Sequence, residues 1–497
     1  MKKSFLKLTR NSFFYLIAGI TSAFIGILTL PLYTRFLTPN DYGIVAIVAS
    51  ITGFLGAFYT LGLTGAYGRF YFDYKDDEEE LKKHISTIVL FLAIYGLVFS
   101  FLVISCKGII EDFTKGIPFV PYILLAVLSG YFLIFFQIKL ILYQIEQRAK
   151  NYTFLFIASI ILQTVLTIYL VVFQGQGALG YIKAGFINSI IFAGISLWMI
   201  RGYLIPVIDI KKLKISLRYS LPIVPHLFAG WMLTLADRLI LNNLVGVAET
   251  GLYSAGYKVA MIMNMAAASV NFAWSPYLYS AMKDRGDSAK QEIARFATYW
   301  VMMMCFIFLI ISIFSKEIIA IFTASPYHLA YKVVPLIVSG CLFQGFYYIV
   351  VNPLFWKGKT PIIAVATMAS GILNIGLNFL FIPKLQMMGA ALATALSFLF
   401  CFIFIGYFSL KYLPFPYEYR RLFKILVVTG LCCLLWLYIP SPDNLWLSIV
   451  IKLFIVAGFP TFLVLTRFLK REEQEMIKNI LQIGRQWTHN FVFKRIK

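Results

Sequence analysis

The sequence predicts an all-α protein that crosses a membrane fourteen times. Three observations carry this reading. Sixty per cent of the 497 residues are apolar and 13% are charged, where soluble chains run near roughly 45–50% and 25%. The apolar excess recurs in runs of roughly 20 residues, the length that crosses hydrocarbon. The basic residues gather on alternate sides of those runs.

The runs follow in order. The first, from about Ser12 to Thr34, sits behind the basic start MKKSFLKLTR. It is long, it lacks a small-residue cleavage site, and further spans follow it, so it reads as a membrane helix and not a signal peptide. The others lie at roughly 42–67, 85–105, 118–145, 151–173, 181–200, 216–241, 252–280, 296–314, 331–355, 360–381, 387–410, 423–439 and 445–466. The separators are short and have turn chemistry, as in Thr38-Pro39-Asn40-Asp41 and Gly175-Gln176-Gly177. No loop is large enough for a folded soluble domain, so the activity is expected inside the membrane.

Net charge is +22, from 44 Lys+Arg against 22 Asp+Glu. With the N-terminus in the cytoplasm, the cytoplasmic segments carry 32 Lys+Arg and the opposite side carries 5. This split is a strong positive-inside signal, and it places both termini inside. The basic excess is therefore topogenic, and no nucleic acid partner is called for. The six cysteines form no C-x-x-C, and the four histidines are scattered. Neither a disulfide framework, a metal site nor a cofactor is indicated. No P-loop, H-E-x-x-H, G-x-S-x-G or dinucleotide fingerprint occurs, so no catalytic residue is nominated.

Two halves share a layout. Arg35-Phe-Leu-Thr-Pro-Asn-Asp41-Tyr-Gly43 precedes the second span, and Val245-Gly-Val-Ala-Glu249-Thr-Gly251-Leu-Tyr253 precedes the eighth. In both, an acidic residue stands two before a glycine, and a cap for the helix start is one role that fits Asp41 and Glu249. Gly175-Gln-Gly-Ala-Leu-Gly180 opens the sixth span, as Met387-Met-Gly-Ala-Ala-Leu-Ala393 opens the twelfth. The expected organisation is a first lobe at 1–210, a second at 211–412, an added helix pair at 413–468 and a basic cytoplasmic tail at 469–497. Paired repeats of this kind are the usual basis of alternating access.

Charged side chains in hydrocarbon are expensive and tend to face a cavity or a partner. The densest group lies in the seventh span, from Arg218 through Pro222, Pro225 and His226 to Asp237-Arg238. The two prolines are expected to break or kink this helix. Asp237 and Arg238 point about 100° apart on a helix and need not pair with each other. Lys258 lies inside the eighth span, with Asn264 and Asn271 continuing its polar face. Arg69 closes the second span, where a cavity role and a positive-inside anchor both fit. Gln137, Gln144 and Gln163, and Asn374 with Asn378 at i and i+4, either line a cavity or bond across helices. Trp231, Trp274 and Tyr277 serve an interface belt or a sugar-stacking surface.

The run Leu30-Pro-Leu-Tyr-Thr-Arg35-Phe-Leu-Thr-Pro-Asn-Asp-Tyr-Gly43 resembles the opening signature of bacterial polysaccharide-export flippases, the Wzx-type O-antigen and capsule transporters of the MATE-like MOP superfamily. Ala236-Asp237-Arg238, followed by Gly251-Leu-Tyr-Ser-Ala-Gly-Tyr257, resembles the matching second-half signature. The resemblance covers essentially the whole chain. It implies two six-helix lobes in a V-shaped, MATE-like arrangement around a cationic cavity in the bacterial cytoplasmic (inner) membrane. It implies movement of an undecaprenyl-diphosphate-linked oligosaccharide from the inner to the outer leaflet, driven by H+ or Na+, among membrane lipids and with contact to polysaccharide assembly proteins. The peptidoglycan-precursor flippases share that fold, but the first-span arginines expected of them are absent between Asn11 and Thr34.

Under this resemblance the expected substrate-binding residues are Arg35, Arg69, Arg218, Arg238, Lys258, Asn264, Asn374 and Asn378. Asp237 and His226 are the expected coupling residues. Arg and Lys suit a diphosphate, and a membrane potential negative inside favours its outward movement by about 2.3 kcal/mol per charge per 100 mV. Rival classes are a MATE-like drug or cation exporter, a multi-span glycosyltransferase or ligase, and a non-transporting assembly scaffold. The first would be expected to use carboxylates in the first lobe, where the helix interiors show almost none. The second would need an acidic catalytic loop, and none is visible.

Overall fold

The computed structural model describes residues 2–439, 444–470 and 473, and no strand occurs among them. Beyond Leu469, Lys470 and Glu473, the expected basic tail lies outside the described residues. The helices are α1 (Lys2–Leu28), α2 (Leu30–Phe36), α3 (Pro39–Thr60), α4 (Leu63–Tyr74), α5 (Glu78–Ser105), α6 (Lys107–Phe113), α7 (Leu124–Ile145), α8 (Ala149–Ile168), α9 (Gly177–Ile200) and α10 (Ile210–Ser220). They continue with α11 (Val224–Thr234), α12 (Ala236–Leu244), α13 (Val247–Arg285), α14 (Lys290–Ile313), α15 (Ser315–Phe322), α16 (Val334–Trp356), α17 (Thr360–Leu385), α18 (Met387–Tyr412), α19 (Tyr419–Tyr438) and α20 (Leu445–Leu465). By length and composition, twelve segments among the described residues can cross a membrane, or thirteen if the bent pair α10–α11 with α12 is one span. One of the twelve is a single run of 67 residues, Val247–Ile313. The fourteen expected spans are not reached by this count.

The chain forms two compact units, Met1–Tyr279 with Ser315–Pro414, and Ser280–Phe314 with Phe415–Lys497. In the first unit, α7 packs against α3, α5 and α9, α1 packs along α8, and α16, α17 and α18 pack together with α11 against α17. Tyr59 is fully buried in the first half, where its hydroxyl meets Ser100 Oγ at 2.7 Å and donates to the Val127 carbonyl at 2.9 Å. In the second unit, α14 packs against α19 and α20. Arg421 there bonds Glu418 at 2.8 Å and Glu473 at 3.0 Å.

The repeated motifs occupy matching structural positions. Thr38 and Asp41 form a reciprocal capping box at the start of α3, with Pro39 in the first turn where its missing N–H costs nothing. Glu249 lies in the first turn of α13. The N-terminal turns of α3 and α13 meet at Gly43 and Gly251. Gly180 sits where a side chain would press on the Leu170 carbonyl, and Gly389 sits in the same way against Phe381. Small residues allow these backbone-to-backbone approaches in a membrane, where van der Waals packing drives helix association.

The seventh span is broken, but not where the prolines predict its largest bend. Pro222 and Pro225 each stand at the start of a helical segment, in the 3₁₀ turn Leu221–Ile223 and in α11. There a proline fits without removing a needed hydrogen bond. The 50° bend falls at Leu235, between α11 and α12. Its freed carbonyls find protein partners: Ser50 Oγ donates to Leu235 O at 2.9 Å, and Arg238 Nη1 donates to Thr234 O at 2.6 Å. This is the condition for broken backbone at membrane depth.

Candidate functional site

A cavity of about 630 Å³ opens inside the first unit. Helix α3 supplies Thr52, Gly53, Gly56 and Thr60; α4 supplies Thr64; α7 supplies Ser129 and Gln137; α8 supplies Gln163; α9 supplies Asn188. Gly56 leaves one stretch of wall open, Gly53 lets Leu235 and Trp231 pack close, and the hydroxyls and amides stand among apolar side chains such as Val48, Leu133 and Ile182. The lining contains no Asp, Glu, Lys or Arg. Thr52, Thr60 and Ser129 donate their hydroxyl protons to their own helices, at 2.9, 3.0 and 2.6 Å. Their oxygens are then left as acceptors.

The amides complete the set. Gln137 is exposed, whereas every residue from Ile134 to Phe136 and from Ile138 to Leu140 is buried. Its exposure is to the cavity that it lines. Asn188 is 4% exposed and donates to Ser159 Oγ at 3.0 Å, while its Oδ1 has no hydrogen-bond partner among the described residues. Of the two roles open to the glutamines, cavity lining is the one observed for Gln137 and Gln163.

None of the cations expected to bind substrate lines this cavity. Arg238 is 7% exposed and Asp237 is 1% exposed, and they pair at 2.9 Å. On a continuous helix the two neighbours need not pair. The pair forms because the break at Leu235 places it at the start of α12, where the Arg238 guanidinium folds back to Thr234 and Asp237 together. Tyr253 donates to Asp237, Tyr257 lies 4.4 Å from the guanidinium across its ring, and Thr394 donates to Asp237 at 3.4 Å. Asn374 approaches Thr394 at 3.5 Å, and Asn378 donates to Asn374 Oδ1 at 2.9 Å. A buried polar network thus joins α12, α13, α17 and α18 around one carboxylate.

The other expected residues are dispersed. Arg35 and Arg218 are exposed, as is His226 on α11. Arg69 is exposed and paired with Asp73 at 2.7 Å. Asn264 donates to Gln344 at 2.8 Å, and Asn271 accepts from Asn352 at 2.9 Å, so both amides join α13 to α16. Lys258 is exposed on α13 and forms no ion pair among the described residues. Its Nζ reaches the flank of α1, 3.5 Å from where a side chain would begin at Gly26. Trp274 is buried at 2% exposure, and Trp231 donates to the Ser50 carbonyl at 2.8 Å. Trp274 therefore has no face for a sugar or for lipid, whereas Trp231 is half-buried and Tyr277 is exposed.

Residues 8–282 match the model of the family described as polysaccharide biosynthesis protein, and residues 222–380 match the MatE model. The chain is 22% identical to the "Putative O-antigen transporter" of Shigella flexneri, over 78% of this chain and 94% of that one. It superposes on a lipid II flippase MurJ in an inward closed conformation with a TM-score of 0.70, at 16% identity, covering 92% of this chain and 99% of that chain. An inward-facing multidrug resistance MATE family transporter of the MOP superfamily superposes with a TM-score of 0.64, at 13% identity, over 80% and 94%. These two structures share the fold.

Proposed function

The chain belongs to the polysaccharide biosynthesis protein family, and on that premise we propose that it is a flippase. Its substrate is an undecaprenyl-diphosphate-linked oligosaccharide, carried from the inner to the outer leaflet of the bacterial cytoplasmic membrane by alternating access. The moving parts are lobes at 1–210 and 211–412, with the helices of 413–468 added and both termini cytoplasmic. Fourteen crossings then require the run Val247–Ile313 to cross twice. At 1.5 Å per residue its 67 residues reach about 100 Å, far beyond hydrocarbon of about 30 Å.

The observation that carries the reading is the uncharged lining of the cavity, in which hydroxyls and amides are set among apolar side chains. A glycan needs hydroxyl and amide partners, whereas an exporter of cationic drugs needs a carboxylate there. Lys258 is the first candidate for the diphosphate, because it is exposed and unpaired beside α1. Arg35, Arg69 and Arg218 are the further surface candidates. Asp237 is the candidate coupling carboxylate, with H+ or Na+ as the ion, and His226 is a second titratable group on the same broken span. Contact with polysaccharide assembly proteins belongs to the same reading.

Deleting the gene tests it. Lipid-linked glycan is expected to accumulate on the inner leaflet while its synthesis continues. Failure of the lipid-linked oligosaccharide to be made at all would place the protein among the enzymes. Lys258→Gln, at matched protein level, is expected to abolish most export, because Gln keeps a polar side chain of similar bulk, one bond shorter, and removes the charge. Full export in Lys258→Gln and Arg218→Gln alike would remove both from the mechanism.

A further inference from the structure

Because the cations stand apart from the cavity, the two chemically different parts of the substrate have different places to go. Resting on the flippase reading, we infer that the first-half cavity is a subsite for a neutral sugar of the glycan and discriminates against a sugar that carries a carboxylate. The volume, about 630 Å³, falls in the roughly 300–1,000 Å³ range of small-molecule pockets. That is room for a short stretch of glycan and not for a long chain.

The hydrogen-bonding inventory gives the selectivity. Thr52, Thr60 and Ser129 spend their protons inside their own helices and turn acceptor oxygens to the cavity. Asn188 adds an amide whose Nδ2 is held by Ser159 Oγ. The amides of Gln137 and Gln163 supply donors as well as acceptors. A sugar hydroxyl both donates and accepts, so it answers this mixture at each position. A uronate carboxylate only accepts, and it would meet a lining with several acceptors and no cation. The two glutamine amides would offset only part of its desolvation, with no cation to balance the charge. A drug cation would meet no carboxylate. Gly56 leaves an open stretch of wall against which a pyranose face can lie.

The test uses the full-length protein in lipid nanodiscs and three short-chain isoprenyl diphosphates: one without sugar, one carrying a neutral dihexose, and one carrying a hexose–hexuronate. The wild type is expected to bind the neutral glycan probe about tenfold more tightly than the bare diphosphate, the margin that a few additional neutral hydrogen bonds give. The hexuronate probe is expected to show little of that gain. Gln137→Leu with Gln163→Leu keeps apolar volume on both helices and should erase the margin while leaving bare-diphosphate binding unchanged. Lys258→Gln should weaken all three probes by a similar factor. Equal binding of the bare and neutral probes by the wild type would overturn the subsite, as would a margin that survives in the double glutamine variant. Tighter binding of the hexuronate than of the neutral probe would also overturn it. If no probe binds, the flippase reading falls together with the subsite. If all three bind without a margin, only the subsite falls.

Discussion

Gly43 of α3 and Gly251 of α13 lie against each other's helices: a methyl on Gly43 would overlap the Val247 carbonyl, and one on Gly251 would overlap the Pro39 carbonyl and stand 2.9 Å from Gly43 N. The two repeats therefore touch backbone to backbone at equivalent motif positions. In the proposed orientation this end lies outside, and the contact would close the outer mouth in the proposed cycle.

Gly43→Ala and Gly251→Ala are each expected to disfavour this closed arrangement by about 1–3 kcal/mol, the usual cost of overpacking. A cysteine placed at Thr52 in the cavity wall should then become reactive towards an impermeant thiol reagent added from outside. Unchanged labelling in both alanine variants would show that the contact does not control access.

Asp237 and Arg238 share one buried site, so removing one charge strands the other. Asp237→Asn is expected to cost about 3–5 kcal/mol, the penalty for an uncompensated buried charge. This would appear as a large fall in the thermal midpoint of the purified protein. Asp237→Asn with Arg238→Met should recover much of that loss, because no charge is left unpaired. Equal midpoints for the Asp237→Asn variant and the wild type would contradict the pairing.

Glu418 and Glu473 carry the pH dependence of the second unit. Burial works against their ionisation. Hydrogen bonds from Lys470 to Glu418 and from Tyr299 to Glu473, with the Arg421 charge, outweigh it and hold both carboxyls below the usual carboxylate value. A lowered folded-state value means that the network's stabilisation is full above the unfolded value, near 4.5, and is lost as pH falls through the lower folded values. Protection of the amides in α14 and α19, taken relative to the intrinsic exchange rate at each pH, should be high at neutral pH and fall below about pH 4. Arg421→Gln should raise neutral-pH exchange and flatten the profile.

The orientation is open to cysteine labelling in a cysteine-free background. Asp77→Cys and Ser288→Cys should react only from the cytoplasmic side. Asn40→Cys, Gln176→Cys and Ala248→Cys should react only from outside. External labelling at Ser288→Cys would reverse the second half and break the parallel repeat.

Some of the site was legible before the structure. Gln137 and Gln163 stood out as amides in apolar runs, where only a cavity or a cross-helix bond can satisfy them. The helix-start role of Asp41 followed from Thr38-Pro39-Asn40-Asp41 alone, because a capping box is local. The cations were less legible. Arg238 and Lys258 look alike in sequence, each a charge within an apolar run, yet one is buried beside Asp237 and the other is exposed beside α1.

The sequence by itself determined the membrane class, the helical architecture, the paired motifs and the family. Each depends on composition, on periodic apolar length or on short-range motif spacing, and these are properties of the chain read in one dimension. The tertiary structure alone decided where the seventh span bends, which cation is neutralised, and that the cavity lining carries no charge. The reason is that pairing and lining depend on the rotation of each helix about its axis. A step of one residue turns a side chain about 100°. In a helix as apolar as α7, the pattern gives almost no signal for that angle. Packing against α3 and α9 sets it, and so turns Gln137 into the cavity while its neighbours on either side are buried.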